Sequence, residues 1–545
     1  MLGLMQSEPI NLISILTHAG RWHGDREVVT NTVEGGIHRQ TYAETLARAT
    51  QLASSLQDFG IKQGDRVGTM GWNTYRHLES WYAISGQGAI CHTINPRLFA
   101  DQIEYIVNHA EDRLIFVDLT FVDVLGELLP KLPTVEAVIV MTDREHMPDT
   151  SAWDTTVFCY EEFLAKGAEQ FDWPILDDNA GSSLCYTSGT TGEPKGVLYS
   201  HRGNLLHAYA SCTTDLINLS AKDTVLMVVP MFHANSWGLA YAGPLTGAKL
   251  VLPGPHMDGA SIHKVISEER ATKAAAVPTV WNMLIAYLNE SGDDLESLKE
   301  VVIGGAAVPR AMIEEFDKKY GVEVIHAWGM TEMTPIGTLN RGKASTDGLG
   351  PEQALDLRCK QGRVPYGVDM KIVDDEGTEL PHDGETFGRL LVKGPWTIAR
   401  YYKIDNSALQ DGWFDTGDIA TIDRLGYMQI TDRSKDVIKS GGEWISSVDV
   451  ENTAMGMSGV EIAACIGAKH PKWDERPILL VKLADDSAAS EESIADHLSK
   501  SLAKWQLPEA IIFVDNIPLT ATGKIDKKPI RVEYENYLLD QADSE

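Results

Sequence analysis

The stretch 186–197 constrains the chain most, because it packs five hydroxyl side chains, three glycines and one lysine into twelve residues. Glycines let a backbone approach a ligand closely, and hydroxyls, backbone N–H groups and a lysine together bind a polyanion. A flexible surface loop is the alternative, and the Walker A pattern does not fit because Lys195 follows Pro194 and precedes Gly196. The stretch therefore predicts a phosphate-binding loop, which the apolar residues before it place at the edge of a sheet.

Short apolar runs alternate with helical patterns over the first two thirds of the chain, and this alternation predicts parallel sheets covered by helices on both faces. Several runs end in Pro or Gly, which turns the chain at the carboxyl edge where open α/β sheets bind ligands. The predicted strands lie at 114–117, 137–141, 225–229, 249–252, 274–277 and 301–303, and the predicted helices at 42–59, 77–85, 261–270 and 310–320.

After about Lys360 the pattern changes to a smaller β region, in which 371–380 predicts strand, turn and strand. A compact α/β unit follows, with a predicted helix at 491–503. Because 545 residues exceed what one compact core holds, we expect a large N-terminal domain, 1–434, and a small C-terminal domain, 435–545.

Composition narrows the class of protein. The formal net charge of −31, from 47 basic and 78 acidic residues, argues against a nucleic-acid partner. The six cysteines show no metal-binding spacing, which favours reduced thiols in the cytoplasm. The N-terminus has no signal-peptide pattern, and no apolar run reaches the ~20 residues of a membrane span. We therefore expect a cytoplasmic protein without membrane insertion.

Four further stretches are unusually polar, and each has an ordinary alternative. Thr331-Glu332 has side chains that can bind a phosphate and a hard cation. The alternative is that the pair forms an exposed helix start. Asp415 and Asp418 flank a Thr-Gly turn that suits ribose hydroxyls, or a solvated turn. The segment 432–445 mixes charges with a Gly-Gly pair, as a charged linker also does. Lys524 follows a glycine near the C-terminus, where a surface lysine is the default.

In this set and order the stretches resemble the core motifs of the adenylate-forming superfamily, which includes acyl-CoA synthetases, nonribosomal-peptide adenylation domains and firefly luciferase. The resemblance covers essentially the whole chain, with Trp328 where the family motif has Tyr. It implies that the C-terminal domain is a mobile lid with its hinge at Lys435. The segments 412–418 and 432–446 look most like the fatty acyl-CoA synthetase branch, which implies an AMP-forming acid–thiol ligase that uses ATP, Mg²⁺ and coenzyme A.

The resemblance also implies roles for single residues. Lys524 would bridge the substrate carboxylate and the α-phosphate, Thr331 would contact that phosphate, and Glu332 with Thr187 would hold Mg²⁺. Asp418 and Arg433 would bind the ribose. Rotation at Lys435 would remove Lys524 from the site and bring the pair Gly441 and Gly442 toward it. The remaining expected cofactor contacts are Ser188, Gly189, Thr190, Thr191, Gly192 and Lys195 for the phosphates, and Gly304, Ala306, Ala307, His326, Ala327, Gly329, Met330, Lys439, Gly441, Gly442 and Glu443.

The acyl group is expected to meet His233, Trp237, Gly304 and Pro335. His233 would gate or orient the carboxylate, with a core histidine as the alternative. Trp237 would shorten the pocket because an indole fills the volume that a long chain needs, which favours a short or medium acid. The branch includes ligases of 3-methylmercaptopropionate, and Trp237, Gly304, Pro335 and Glu443 are compatible with that group. The alternatives are a medium- or long-chain fatty acyl-CoA synthetase, a luciferase-like oxygenase, and a nucleotide-binding sensor without turnover.

Two segments depart from the family pattern. Asp432 stands where Gly is usual before the hinge Arg, and Ser447-Val-Asp-Val-Glu stands where Pro-x-Glu-Ile-Glu is usual. Neither position carries a catalytic side chain in the family, so the expected activity is unchanged. The resemblance also makes a homodimer the expected assembly, with a small carboxylic acid as the substrate.

Overall fold

A computed structural model describes residues 3–187, 193–440, 443–484, 487–519 and 525–542, with the backbone alone for 443, 444 and 542. These described residues form two large sheets and two small ones. The expected mixed α/β architecture, with parallel-rich sheets in the N-terminal part, is confirmed. The domain boundary at 434/435 and the hinge at Lys435 remain predictions.

The first large sheet has eight strands and is parallel except for the antiparallel strand at each end. Its spatial order brings the N-terminal strands beside a strand from the middle of the chain. The order is Ile336–Leu339, Glu323–Gly329, Glu300–Ile303, Lys273–Ala276, Thr224–Met227, Lys249–Leu252, Glu27–Asn31 and Ile37–Thr41.

The second large sheet has seven strands, of which the last pair is antiparallel. That pair flanks the predicted phosphate loop, so the loop joins the two strands at one edge of this sheet, as expected from the sequence. The order is Thr156–Cys159, Ala137–Val140, Asp112–Val117, Arg66–Met70, Ile90–Thr93, Gly181–Tyr186 and Gly196–Ser200.

The two small sheets follow in the chain and are mainly antiparallel. One contains Asp369–Val373, Phe387–Lys393, Leu409–Gln410, Trp413–Ile422 and Met428–Arg433. The other contains Ile438–Ser440, Glu443–Ile445, Val460–His470, Asp474–Leu483 and Ala510–Phe513, and has its own buried clusters around Cys465 and Ile466.

Helices cover the sheets. The α-helices are Leu12–Trp22, Tyr42–Phe59, Tyr75–Gly86, Ala100–Ala110, Val122–Leu128, Tyr160–Leu164, His201–Ser211, Leu239–Thr246, Gly259–Glu269, Pro278–Ser291, Arg310–Tyr320, Pro351–Cys359, Ser447–Met455, Glu491–Ser499, Lys527–Tyr534 and Tyr537–Ala542. Short 3₁₀ turns lie at Leu119–Phe121, Leu129–Lys131, Ala234–Gly238, Thr331–Met333, Ala344–Thr346 and Lys504–Gln506. Among the described residues, no helix has both the length and the apolar character needed to cross a bilayer.

Helix Tyr42–Phe59 shows why local sequence sets some boundaries. Thr41 and Glu44 form a reciprocal capping box at its start, and Gly60 ends it in the left-handed conformation at φ 102°.

Two other predictions were too long. The predicted helix 491–503 ends at Ser499, whose hydroxyl bonds the carbonyl of Asp496, and the second strand expected in 371–380 is reduced to a single bridge at Glu379.

A substitution at Trp281 tests the packing against the eight-stranded sheet, because the Trp281 side chain is fully buried and meets the Phe316 ring edge-on. We expect Trp281→Ala to lower the free energy of unfolding by about 3–5 kcal/mol, since it removes a large side chain and leaves a cavity. The measurement is the urea midpoint of the first unfolding transition. Trp22→Ala is the control, because Trp22 is 64% exposed, and its effect should stay within about 0.5 kcal/mol. Equal effects would contradict the assignment of Trp281 to the core.

Candidate functional site

A cavity of about 430 Å³ opens at the carboxyl ends of strands Glu300–Ile303 and Glu323–Gly329. This is the edge at which open α/β sheets bind ligands. Its wall combines one polar and one apolar group of residues. The polar group includes Thr187, Glu193, Lys195, His233, Thr331, Glu332, Tyr401, Arg433 and Lys435, and the apolar group includes Ile217, Ala234, Trp237, Val302, Ala327, Pro335 and Ile336.

Glu332 is the buried carboxylate of the cavity, with 8% of its surface exposed. Burial raises its pKa, while the hydroxyl of Tyr401, which donates to Glu332 Oε1 at 2.9 Å, and the nearby Arg433 and Lys195 act in the opposite direction. Tyr199 fixes the adjoining turn by donating to the carbonyl of Thr331 at 2.7 Å. The carboxylate is therefore held in place by its neighbours and faces two cations.

The predicted phosphate loop is described only at its two ends, and Ser188, Gly189, Thr190, Thr191 and Gly192 lie outside the described residues. Thr187 and Lys195 close the loop by two bonds, from Thr187 N to Lys195 O at 2.9 Å and from Lys195 N to Thr187 Oγ1 at 3.3 Å. The Lys195 ammonium lies 4.9 Å from the centre of the Tyr401 ring. The loop ends thus place one hydroxyl and one ammonium on the same side of the cavity as Glu332.

Asp418 lies just behind the cavity wall, with 2% of its surface exposed. Its Oδ2 accepts a hydrogen bond from the indole Nε1 of Trp328 at 3.0 Å, and its Oδ1 pairs with Nε of Arg433 at 2.8 Å. Arg433 is also the cross-strand partner of Asp418 in the small sheet. The carboxylate therefore links the large sheet, through Trp328, to the guanidinium that lines the cavity.

The apolar part of the cavity wall is shaped by Trp237 and the missing side chain of Gly304. A Cβ at Gly304 would lie 2.8 Å from the carbonyl oxygen of Ala327 and 3.3 Å from Cη2 of Trp237. Any larger residue at 304 would have to displace backbone or indole. The two residues together therefore restrict the space along this part of the wall.

Trp237 is carried by a left-handed turn. Ala234, Asn235, Ser236 and Trp237 all have φ between 43° and 53°, a conformation that costs non-glycine residues roughly 1–2 kcal/mol each. Buried side-chain bonds offset this cost: Asn235 donates to Ser183 Oγ and to Asn204 Oδ1, both at 3.1 Å, and Ser236 donates to the carbonyl of Val229 at 2.7 Å. Such strain is typical of functional sites.

Other predicted residues lie at varying distances from this wall. Gly329 and Met330 line the cavity, whereas His326 is buried behind it with Nδ1 bonded to the carbonyl of Cys359, and burial lowers its pKa to about 4. Ala306 is exposed and Ala307 half-buried beside Gly305. Lys439 is exposed and donates its backbone N–H to Glu475.

The C-terminal part closes one side of the cavity. Lys435, Asp436 and the segment 525–528 with Arg531 contribute to its wall, and Arg531 donates to the carbonyl of Lys435 at 2.7 Å. Burial lowers the pKa of Lys435. Lys524, Gly441 and Gly442 lie outside the described residues, and Glu443 belongs to strand Glu443–Ile445.

The sequence analysis missed Tyr401 and the apolar residues Ile217, Val302 and Ile336. Tyr401 lies in a loop between two strands, 69 residues from Glu332, and no local pattern identifies its partner. Val302 was recognised as a strand residue, but only the sheet order shows that its side chain faces the cavity.

The chain belongs to the AMP-binding enzyme family, whose model matches residues 16–402, and the model of the AMP-binding enzyme C-terminal domain matches residues 449–524. It is 48% identical to a 3-methylmercaptopropionyl-CoA ligase of Ruegeria lacuscaerulensis over 99% of this chain and all of the relative. It is also 48% identical to a medium-chain-fatty-acid–CoA ligase of Ectopseudomonas oleovorans over the full length of both. An anthranilate CoA ligase solved in complex with anthranoyl-AMP shares the fold, with a TM-score of 0.85, 26% identity and 99% of each chain covered.

These matches confirm the superfamily, the fold and the acyl-CoA ligase activity expected from the sequence. They leave the role of each site residue open.

The Glu332–Tyr401 contact predicts a change in the pH dependence of activity. Tyr401→Phe removes a hydrogen bond to the charged carboxylate, so the pKa of Glu332 rises further. Because the protonated form cannot hold a cation, the acidic limb of the pH profile of kcat/KM should move to higher pH. Tyr402→Phe is the matched control, since Tyr402 contacts the ring of His109 instead. An acidic limb that stays in place in Tyr401→Phe would contradict the prediction.

Proposed function

We propose that the chain is an AMP-forming ligase that converts a carboxylate, ATP and CoA to acyl-CoA, AMP and diphosphate through an acyl-adenylate. The observation that supports this most directly is a cavity whose wall carries both Glu332 with cationic side chains and the apolar Trp237. A phosphate chain fits the charged part of the wall and an acyl group fits the apolar part.

In the first half-reaction, a carboxylate oxygen attacks the α-phosphorus and diphosphate leaves with the electrons of the broken P–O bond. The two reactants are anions, so cations must offset their repulsion. We assign this role to Lys524, with Lys195 and the loop 187–195 holding the departing phosphates. Thr331 contacts the α-phosphate, and Asp418 with Arg433 holds the ribose.

Mg²⁺ fits the donors that the chain offers. Glu332 supplies a carboxylate and Thr187 a hydroxyl, both oxygen donors on the cavity wall. Among the described residues no group of three or more His, Cys, Asp or Glu side chains is arranged to hold a metal, so most ligands have to be phosphate oxygens and water, as is usual for this ion. When bound, the ion would neutralise charge on the phosphates.

The second half-reaction requires a different lid position. We propose that rotation at Lys435 withdraws Lys524 and brings Gly441 and Gly442 to the site. There the two glycines would line a narrow tunnel for the pantetheine arm of CoA. Lys439 and Glu443 lie on the same hairpin. The CoA thiolate then attacks the acyl carbonyl carbon and AMP leaves.

For the acid we propose a short or medium chain, with 3-methylmercaptopropionate as the leading candidate. The bulk of Trp237 in the cavity wall and its crowding against Gly304 support it, as do the names of the two bacterial relatives. Pro335 completes the acyl wall, and His233 stands where the carboxylate enters. We also propose a cytoplasmic homodimer with no nucleic-acid partner.

A panel of C2 to C16 acids with 3-methylmercaptopropionate tests the function, scored by CoA-dependent AMP release. We expect AMP release without light emission or oxygen uptake, which excludes a luciferase-like oxygenase, and with the highest kcat/KM below C10. A preference for C12 or longer acids would overturn the short-pocket argument. AMP release that is independent of CoA would overturn the ligase assignment.

Trp237→Ala should shift the chain-length optimum upward by two to three methylene groups, because the space left by the indole accommodates them and each buried methylene contributes ~0.8 kcal/mol. The measurement is kcat/KM across the same acids, and Trp237→Phe should give an intermediate optimum. A general loss of activity with an unchanged optimum would place Trp237 outside the acyl pocket.

Trp328→Phe should raise KM for ATP about tenfold, because a hydrogen bond to a charged group contributes ~1.5–3 kcal/mol and its loss lets Asp418 turn away from the ribose. With 2′,3′-dideoxy-ATP, which lacks the ribose hydroxyls, the same substitution should change KM less than twofold. Trp413→Phe is the control, since Trp413 lies against Lys371 and Lys393 instead. An equal penalty with both nucleotides would show that the indole acts by another route.

A further inference from the structure

The two segments that depart from the family pattern contact each other. Asp432 Oδ2 accepts a hydrogen bond from the backbone N–H of Ser447 at 2.6 Å. A glycine at 432 would offer no side-chain acceptor, and a proline at 447 would offer no N–H. The bond therefore requires both the carboxylate of Asp432 and the backbone N–H of Ser447.

The bond spans the proposed hinge. Asp432 lies in strand Met428–Arg433, on the N-terminal side of Lys435, and Ser447 is the first residue of helix Ser447–Met455, on the C-terminal side. The hydroxyl of Ser446, which caps this helix, also donates to the carbonyl of Thr431. The helix start is thus docked on the strand end, where a carboxylate is favoured by the helix dipole.

The contact is buried and continues towards the cavity. Asp432 is 1% exposed and Ser447 is fully buried. The ammonium of Lys527 donates to Ser447 Oγ at 2.5 Å and pairs with Glu451 Oε1 at 2.7 Å. Lys527 begins helix Lys527–Tyr534 and itself lines the cavity. The docked helix start is therefore connected through Lys527 to the face that the C-terminal part presents to the site.

We propose that Asp432 and Ser447 form a latch across the hinge, which holds the C-terminal domain in the orientation that places helix Lys527–Tyr534 against the cavity. The proposal rests on the proposed function, in which this orientation serves adenylate formation and rotation at Lys435 serves thioester formation. Because Asp432 and Ser447 lie on opposite sides of Lys435, rotation there must break their bond. The latch therefore biases the enzyme towards the first half-reaction, and Asp432 acts as a positioning residue.

Two single variants remove the latch from opposite sides. Asp432→Gly deletes the acceptor, and Ser447→Pro deletes the donor at the first helical position, where proline is well tolerated. Each should slow acid-dependent exchange of diphosphate into ATP five- to tenfold and leave thioester formation from supplied acyl-adenylate at or above the wild-type rate. The double variant should lose no more than either single variant, because both remove the same bond.

Ser447→Ala is the matched control, since it keeps the backbone N–H and loses only the hydroxyl that contacts Lys527. Its exchange rate should stay within twofold of wild type. Should Asp432→Gly fail to fold in a thermal unfolding scan, Ser447→Pro tests the same bond alone.

Equal slowing of both half-reactions, unchanged exchange in the two latch variants, or additive losses in the double variant would each overturn the latch. These outcomes differ from failure of the proposed function, in which the wild-type chain itself shows no acid-dependent exchange. A wild-type chain that carries out both half-reactions while the variants match it refutes the latch and leaves the ligase in place.

Discussion

The buried carboxylate of Asp418 is the interaction on which the arrangement of the site depends. It accepts the indole N–H of Trp328, at the end of a strand in the eight-stranded sheet, and it pairs with Arg433 in the small antiparallel sheet. One side chain thereby connects the two sheets and positions the guanidinium of Arg433. A buried charge is stable only when it is paired and hydrogen-bonded, so the site and the joint between the sheets require each other.

Charged side chains in the polar wall of the cavity are likewise held by contacts with their neighbours. Glu332 is held by Tyr401, and Lys195 lies over the ring of that tyrosine. Tyr401 thus contacts both charged groups and holds them on the same part of the wall. Such preorganised groups act on a developing charge without first having to reorient, which is the main source of electrostatic catalysis.

Local sequence was sufficient where the determinants are local. Helix Tyr42–Phe59 matched its predicted bounds because Thr41, Glu44 and Gly60 mark its ends, and the apolar runs identified buried strands. The order of the strands was not predictable, since pairing Glu27–Asn31 with Lys249–Leu252 depends on contacts more than 200 residues apart. The family motifs identified Thr331 and Glu332, while Tyr401 carries no motif and became visible only through its hydrogen bond.

The left-handed turn that carries Trp237 has a consequence for how the enzyme tells acids apart. Its backbone is fixed by the buried amide of Asn235, so in the proposed acyl pocket the wall is formed before the acid binds and keeps its shape. A rigid wall excludes acids that are too long, and it makes no additional contacts with a shorter acid. Under the proposed function, discrimination against long acids should therefore be sharp, while several short acids should be accepted with similar efficiency.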